Sequence, residues 1–136
     1  MDKAPPAIVT ELGEKAKGLL FQSEADHPLE AFLWEGKADG EFTAPDLLAL
    51  KQYAPDTPVK TVSLGRFFQA ATKEEAWHNA EEQQTVKRFQ ELVETLKKNL
   101  RGITVFKVGE TEKDVYIVGK TKDGALAGLS TKVVET

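Results

Sequence analysis

The stretch from Asp114 to Thr136 restricts the fold more than any other part of the chain. Asp114-Val-Tyr-Ile-Val-Gly119 concentrates β-branched and aromatic residues. Lys122-Asp123-Gly124 then supplies a turn whose glycine is free to take positive φ. The return segment, Ala125 to Glu135, carries Leu126, Leu129, Val133 and Val134, which predicts a second strand reaching almost to Thr136. Chain ends are loose unless a strand or helix ties them down. Two readings of this one are open: a strand that completes the core, or a strand that holds Thr136 as a positioned chemical group.

The length of 136 residues predicts one domain spanning 1–136. Apolar content of 40% and charged content of 29% fit an ordinary globule. No apolar run approaches a membrane span, and Met1-Asp-Lys-Ala-Pro-Pro has neither the basic nor the apolar region of a leader peptide. With no cysteine to form a disulfide framework, the reading is a cytoplasmic protein. A net charge of −4 argues against nucleic acid as a direct partner, because phosphate binding needs a concentrated basic face. The acidity is uneven. Between Gly18 and Leu50, Glu24, Asp26, Glu30, Glu35, Asp39, Glu41 and Asp46 stand against Lys37 alone. Such a bias suits a basic partner, or is simply a solvated face.

Pro5-Pro6 opens a helix with Ile8, Val9, Leu12 and Ala16 on one side and Gly18 as its stop. Leu19-Leu-Phe21 should enter the core, Gln22 to Pro28 is polar and turn-like, and His27 is held extended by the proline after it. Leu29 to Gly36 reads as a strand, and Phe32-Leu-Trp34 implies burial on both faces, hence a central position. Thr43-x-x-Asp46 caps a helix that runs to about Tyr53; Val59 to Val62 is a short strand, and Ser63 caps a turn or two carrying Leu64, Phe67 and Phe68.

Thr72-x-x-Glu75 has the pattern of a capping box, ahead of a helix whose stripe is Val86, Phe89, Leu92, Val93, Leu96 and Leu100. Gly102 is its expected left-handed stop, and Ile103 to Val108 a strand. Strands separated by helices and followed by hairpins predict an α/β fold: a single α/β/α sandwich around a mixed or antiparallel sheet.

Catalytic signals are thin. His27 and His78 have no partner at metal-ligand spacing, Ser130 stands outside a nucleophile elbow, and Gly124-x-x-x-Gly128 lacks the lysine of a phosphate loop. That glycine pair reads as close strand packing. The expectation is a protein that is not an enzyme and needs no cofactor. Trp77 falls about two and a half turns before Val86, opposite the apolar stripe, if a single helix runs through both. Either it is exposed as an interface residue, with Asn79-x-x-Glu82 restarting the helix, or it packs under the loop at Gln22 to Pro28.

An acidic loop, a displaced tryptophan and a strand-held end together resemble the cyanobacterial nuclease A inhibitor family. The residues that carry the likeness are Gly18-Leu-Leu-Phe-Gln-Ser-Glu24, His27-Pro28, Phe32-Leu-Trp-Glu-Gly36, Phe67-Phe68, Ala71-Thr72, Trp77, Lys87 to Leu100, Asp114 to Gly119, and Leu126 to Thr136. Lys37 to Thr57 is the least similar part. The resemblance implies a fold like that of plant pathogenesis-related proteins. It also implies a partner: a sugar-nonspecific, metal-dependent DNA/RNA endonuclease of the ββα-metal class, blocked in its Mg²⁺-containing cleft. By the same resemblance the contact is anchored by Glu24 and Trp77, and Thr136 reaches the partner's catalytic metal; Asp26, Glu75 and Glu135 are further candidate partner-binding residues. One position departs from the family pattern: Ala76 stands where an acid precedes the tryptophan, so Glu74 or Glu75 would have to substitute. The alternative is an interaction module of the same fold with a target other than a nuclease.

Overall fold

The computed structural model describes residues 5–21, 26–34, 42–122 and 124–134. Among these residues, four helices and seven strands follow the order α1 (Pro5–Ala16), β1 (Leu20–Phe21), β2 (His27–Pro28), β3 (Glu30–Trp34), α2 (Ala44–Leu50), β4 (Val59–Val62), α3 (Leu64–Phe67), α4 (Ala80–Asn99), β5 (Arg101–Val108), β6 (Glu112–Lys120) and β7 (Leu126–Val134). Five strands form one sheet in the order β3-β7-β6-β5-β4, and β1 pairs with β2 in a small ribbon. Every pairing is antiparallel. The fold is therefore α/β, with an antiparallel sheet.

Alternation along the strands sends side chains to two cores. Val105, Val115, Ile117, Leu129 and Val133 meet Ile8 and Leu12 of α1, Leu64 and Phe67 of α3, and Phe89, Leu92 and Leu96 of α4. Phe106, Val108, Tyr116, Val118 and Leu126 meet Leu47 and Leu48 of α2 on the other side. The predicted stripe of α4 is buried in full, from Val86 through Leu100. Burying a side chain of this kind stabilises by roughly 1.5–3 kcal/mol, so the faces of α1 and α4 hold that layer on the sheet.

The predicted C-terminal hairpin forms, with Gly124 at φ 84° in its turn and Val115 opposite Thr131. β7 lies inside the sheet, between β3 and β6. Gly128 is needed there because a Cβ at that position would collide with the carbonyl oxygen of Ile117. Close strand packing is thus the role of that glycine.

Several expectations need correction. β3 is an edge strand, not a central one. Ala31 and Leu33 pack toward one core, Phe32 and Trp34 toward the other. Helices on both sides of the sheet bury both faces even at an edge. Leu20 is exposed in the β1–β2 ribbon rather than in the core. α2 stops at Leu50, before Tyr53, and Gln52 takes positive φ just beyond it.

Thr72 does not cap α4: its hydroxyl donates back to the carbonyls of Phe68 and Gln69. Asn79 is the cap, in a reciprocal box with Glu82 at 2.8 and 3.0 Å. Gly102 does take positive φ, but at an irregularity within β5 and not as a helix stop. Leu100, already extended, ends α4.

Candidate partner-binding face

Chain direction decides which segments share an end of the molecule. α4 runs into β5 at Arg101, which pairs with Lys120, so its C-terminal end lies at that end of the sheet. Antiparallel α1 tracks it: Asn99 reaches Glu11 at 3.4 Å, Lys15 pairs with Glu91 at 3.5 Å, and the Arg88 guanidinium donates to the Lys17 carbonyl at 2.5 Å. The N-terminal end of α4 therefore points the opposite way, toward the end of the sheet where Val108 faces Asp114 and Val134 faces Glu112.

The β1–β2 ribbon arrives at the same end. Glu30 is opposite Ser130, so the chain read backward from Glu30 follows β7 toward Val134. Thr131 Oγ1 lies 3.5 Å from the His27 carbonyl, which sets β2 alongside. Phe21, at the other root of the ribbon, stacks on Phe67 with ring centroids 4.3 Å apart and planes 5° from parallel. Phe21 and His27, which pair across the ribbon, are thus each tied to the body of the protein.

Trp77 occupies a turn just before α4. His78 N–H donates to the Glu75 carbonyl at 3.1 Å, and Ala76 and Trp77 are the two residues between them. Trp77 is 71% exposed, more than Leu20 or Leu50, the other large apolar residues exposed among the described residues. Packing under the loop at Gln22 to Pro28 is the reading this excludes. Exposure follows from the Asn79 cap, because the helix starts too late to place Trp77 on its face.

Asp26 and Glu30 are exposed at this end. Glu75 is half-buried, 3.5 Å from Lys73, while Glu74 is exposed. Of the other acids in the Gly18 to Leu50 bias, Asp46 serves the α2 cap. Its carboxyl is held below the usual range by the Thr43 backbone amide, then by the Thr43 hydroxyl. Glu24, Glu35, Asp39, Glu41, Glu135 and Thr136 lie outside the described residues. Their nearest described neighbours on either side of Glu24 are Phe21 and Asp26, and Val134 precedes Glu135.

Beside this end, on the α2 side, lies a cleft of about 290 Å³ lined by His27, Glu30, Lys51, Asp114, Tyr116 and Lys132, among others. At its edge Tyr53 Oη is 2.5 Å from Asp114 Oδ2 and 2.7 Å from Tyr116 Oη. The carboxylate can only accept, so Tyr53 donates to Asp114 and accepts a hydrogen bond from the Tyr116 hydroxyl. Burial, reinforced by the Asp114 and Tyr116 contacts, pushes the Tyr53 phenol far above its ordinary range. Burial likewise raises Tyr116. The sequence offered no local signal for this trio, since Tyr53 and Asp114 are 61 residues apart.

The exposed indole, the anchored ribbon and the end of β7 thus converge on one end of the protein. Over residues 6–136 the sequence matches the family described as nuclease A inhibitor-like protein. The chain belongs to that family. No curated protein matches it. Among the described residues of this nuclease A inhibitor-like chain, no group of three or more His, Cys, Asp or Glu side chains is arranged to hold a metal ion. No described helix is long and apolar enough to cross a membrane.

Proposed function

We propose that the protein binds and blocks the active-site cleft of a metal-dependent, sugar-nonspecific endonuclease of the ββα-metal class. The observation that carries this reading is the family match across nearly the whole chain. Its support in the geometry is the exposed Trp77 at the end of the protein where the described part of β7 finishes. The protein acts by occupancy and turns nothing over.

The physical chemistry of such an inhibitor is direct. A nuclease that accepts any sequence needs a basic cleft and a divalent ion, because its substrate is a polyanion. Glu24, Asp26, Glu75 and Glu135 offer carboxylates where phosphates would lie, which speeds encounter through complementary fields. Trp77 supplies the apolar anchor. Thr136 presents hard oxygen donors toward the partner's Mg²⁺ or its bound water, in the complex only.

The test is titration of a purified ββα-metal endonuclease with this protein, reading hydrolysis of both DNA and RNA. Inhibition of both activities, complete near equimolar protein, supports the reading; full activity in large excess overturns it. Association should also slow as salt rises, with less change in dissociation. Glu24→Lys should impair binding more than Asp39→Lys.

A further inference from the structure

Residues Thr72 to Asn79, the later part of the connection from α3 to α4, have no regular structure, yet both ends of this segment are pinned. Gln90 Nε2 donates to the Thr72 carbonyl at 2.9 Å, and Gln83 Nε2 donates to the His78 carbonyl at 3.2 Å. Asn79 is fixed by its reciprocal bonds with Glu82. What remains to be ordered is the tip, Glu75-Ala-Trp-His78.

Glu75 and His78 exchange two hydrogen bonds there. One is the turn bond from His78 N–H to the Glu75 carbonyl. The other runs back, from Glu75 N–H to His78 Nδ1 at 3.1 Å. Because Nδ1 accepts, the ring proton of this tautomer is on Nε2. The same imidazole meets the Trp77 indole edge to face, with centroids 4.4 Å apart and planes at 71°. A single half-buried side chain therefore closes the turn and braces the exposed ring beside it.

We propose that His78 is a positioning residue for Trp77, holding the indole as a preformed knob before any partner arrives. An exposed tryptophan on an unbraced turn samples several rotamers and loses that freedom on binding, which weakens association. A turn locked by two bonds and a ring contact has lost it already. The consequence for affinity rests on the functional reading above; the consequence for order does not.

Two substitutions separate the two contacts. His78→Phe keeps a ring against Trp77 and removes the acceptor. His78→Asn keeps an acceptor at the same distance along the side chain and removes the ring. In the free protein, the Glu75 amide of His78→Phe should exchange at least about fivefold faster, the equivalent of one ordinary hydrogen bond. His78→Asn should restore its protection while increasing the mobility of the Trp77 indole.

Nuclear magnetic relaxation reads that mobility, and the Trp34 indole, the only other tryptophan, serves as the internal control for an intact fold. Unchanged Glu75 exchange in His78→Phe, or an unchanged Trp77 indole in His78→Asn, would overturn the role. Against an endonuclease that the parent protein inhibits, either variant should bind about two- to tenfold more weakly. Equal binding by both would overturn the contribution to affinity. Failure of the parent protein to inhibit would strike the functional reading alone, since the free-protein measurements still decide the positioning role.

Discussion

Phe21 stacks on Phe67 at 4.3 Å, joining the root of the β1–β2 ribbon to α3. Phe68 adds an edge contact to Phe21 at 5.8 Å. The ribbon is only two residues deep on each side, so these rings supply the apolar contact that its hydrogen bonds cannot. Phe21→Ala should lower stability by about 2–3 kcal/mol, because a large aromatic contact is lost from a half-buried site. Inhibition should fall further than unfolding explains if the ribbon root positions Glu24, three residues along the chain from Phe21. Chemical denaturation alongside binding under fully folded conditions checks both. Binding that is unchanged despite the stability loss would show that the ribbon does not position a contact.

Trp77 predicts the opposite balance. At 71% exposure it contributes little to the core. Trp77→Ala should change stability by less than about 0.5 kcal/mol. It should weaken binding by about 2 kcal/mol or more, close to thirtyfold, if the indole is a central anchor. A substantial drop in melting temperature would assign the residue a structural role instead.

The end of β7 predicts a dependence on a single residue. Val133 is 1% exposed and Val134 pairs with Glu112, so the strand is held to its last described residue. Deleting Thr136 removes the oxygen donors proposed to face the partner's metal. Inhibition should weaken at least about tenfold, or 1.4 kcal/mol. The melting temperature should hold, because Val133 stays buried. Thr136→Val, which removes the hydroxyl alone, should give a smaller loss. A protein tagged after Thr136 should inhibit poorly, whereas an amino-terminal tag should be tolerated. Full inhibition by the C-terminally tagged protein would eliminate the metal contact.

Tyr53 and Tyr116 predict an alkaline limit to stability. Both phenols are raised in the folded state, first by burial and, for Tyr53, next by its bond to Asp114. An unfolded tyrosine ionises near pH ~10. The stability these groups contribute is thus fully present below that pH and is lost as pH rises toward the folded values. Tyr53→Phe should cost about 1–2 kcal/mol at neutral pH, because Asp114 loses its donor. It should also flatten the decline between about pH 9.5 and 11 relative to the parent. Parallel urea titrations at neutral and alkaline pH measure the difference. An identical alkaline slope in the variant would show that the phenol is not the titrating group.

Local chemistry was legible in the sequence wherever it is local in the molecule. The α4 stripe, the Asn79-x-x-Glu82 restart, the Ser63 cap and the glycine turn before β7 are each set by residues within a few positions of one another, and each is found. The family likeness rested on such blocks and extends over residues 6–136. Order in the sheet is a different matter. Phe32-Leu-Trp34 recorded that both faces are covered, but the alternation is the same at an edge as at the centre, so only the pairing with β7 put β3 on the rim. Thr72-x-x-Glu75 and Asn79-x-x-Glu82 have equivalent capping chemistry. In the fold the Thr72 hydroxyl bonds back to Phe68 and Gln69, Gln90 takes the Thr72 carbonyl, and the cap falls at Asn79, with Trp77 outside the helix and in the open. Residue types and their spacing determined the elements and named the candidate anchors. Strand pairing and helix direction, which depend on contacts far apart in sequence, decided that Trp77, the ribbon flanking Glu24 and the end of β7 share one end of the protein.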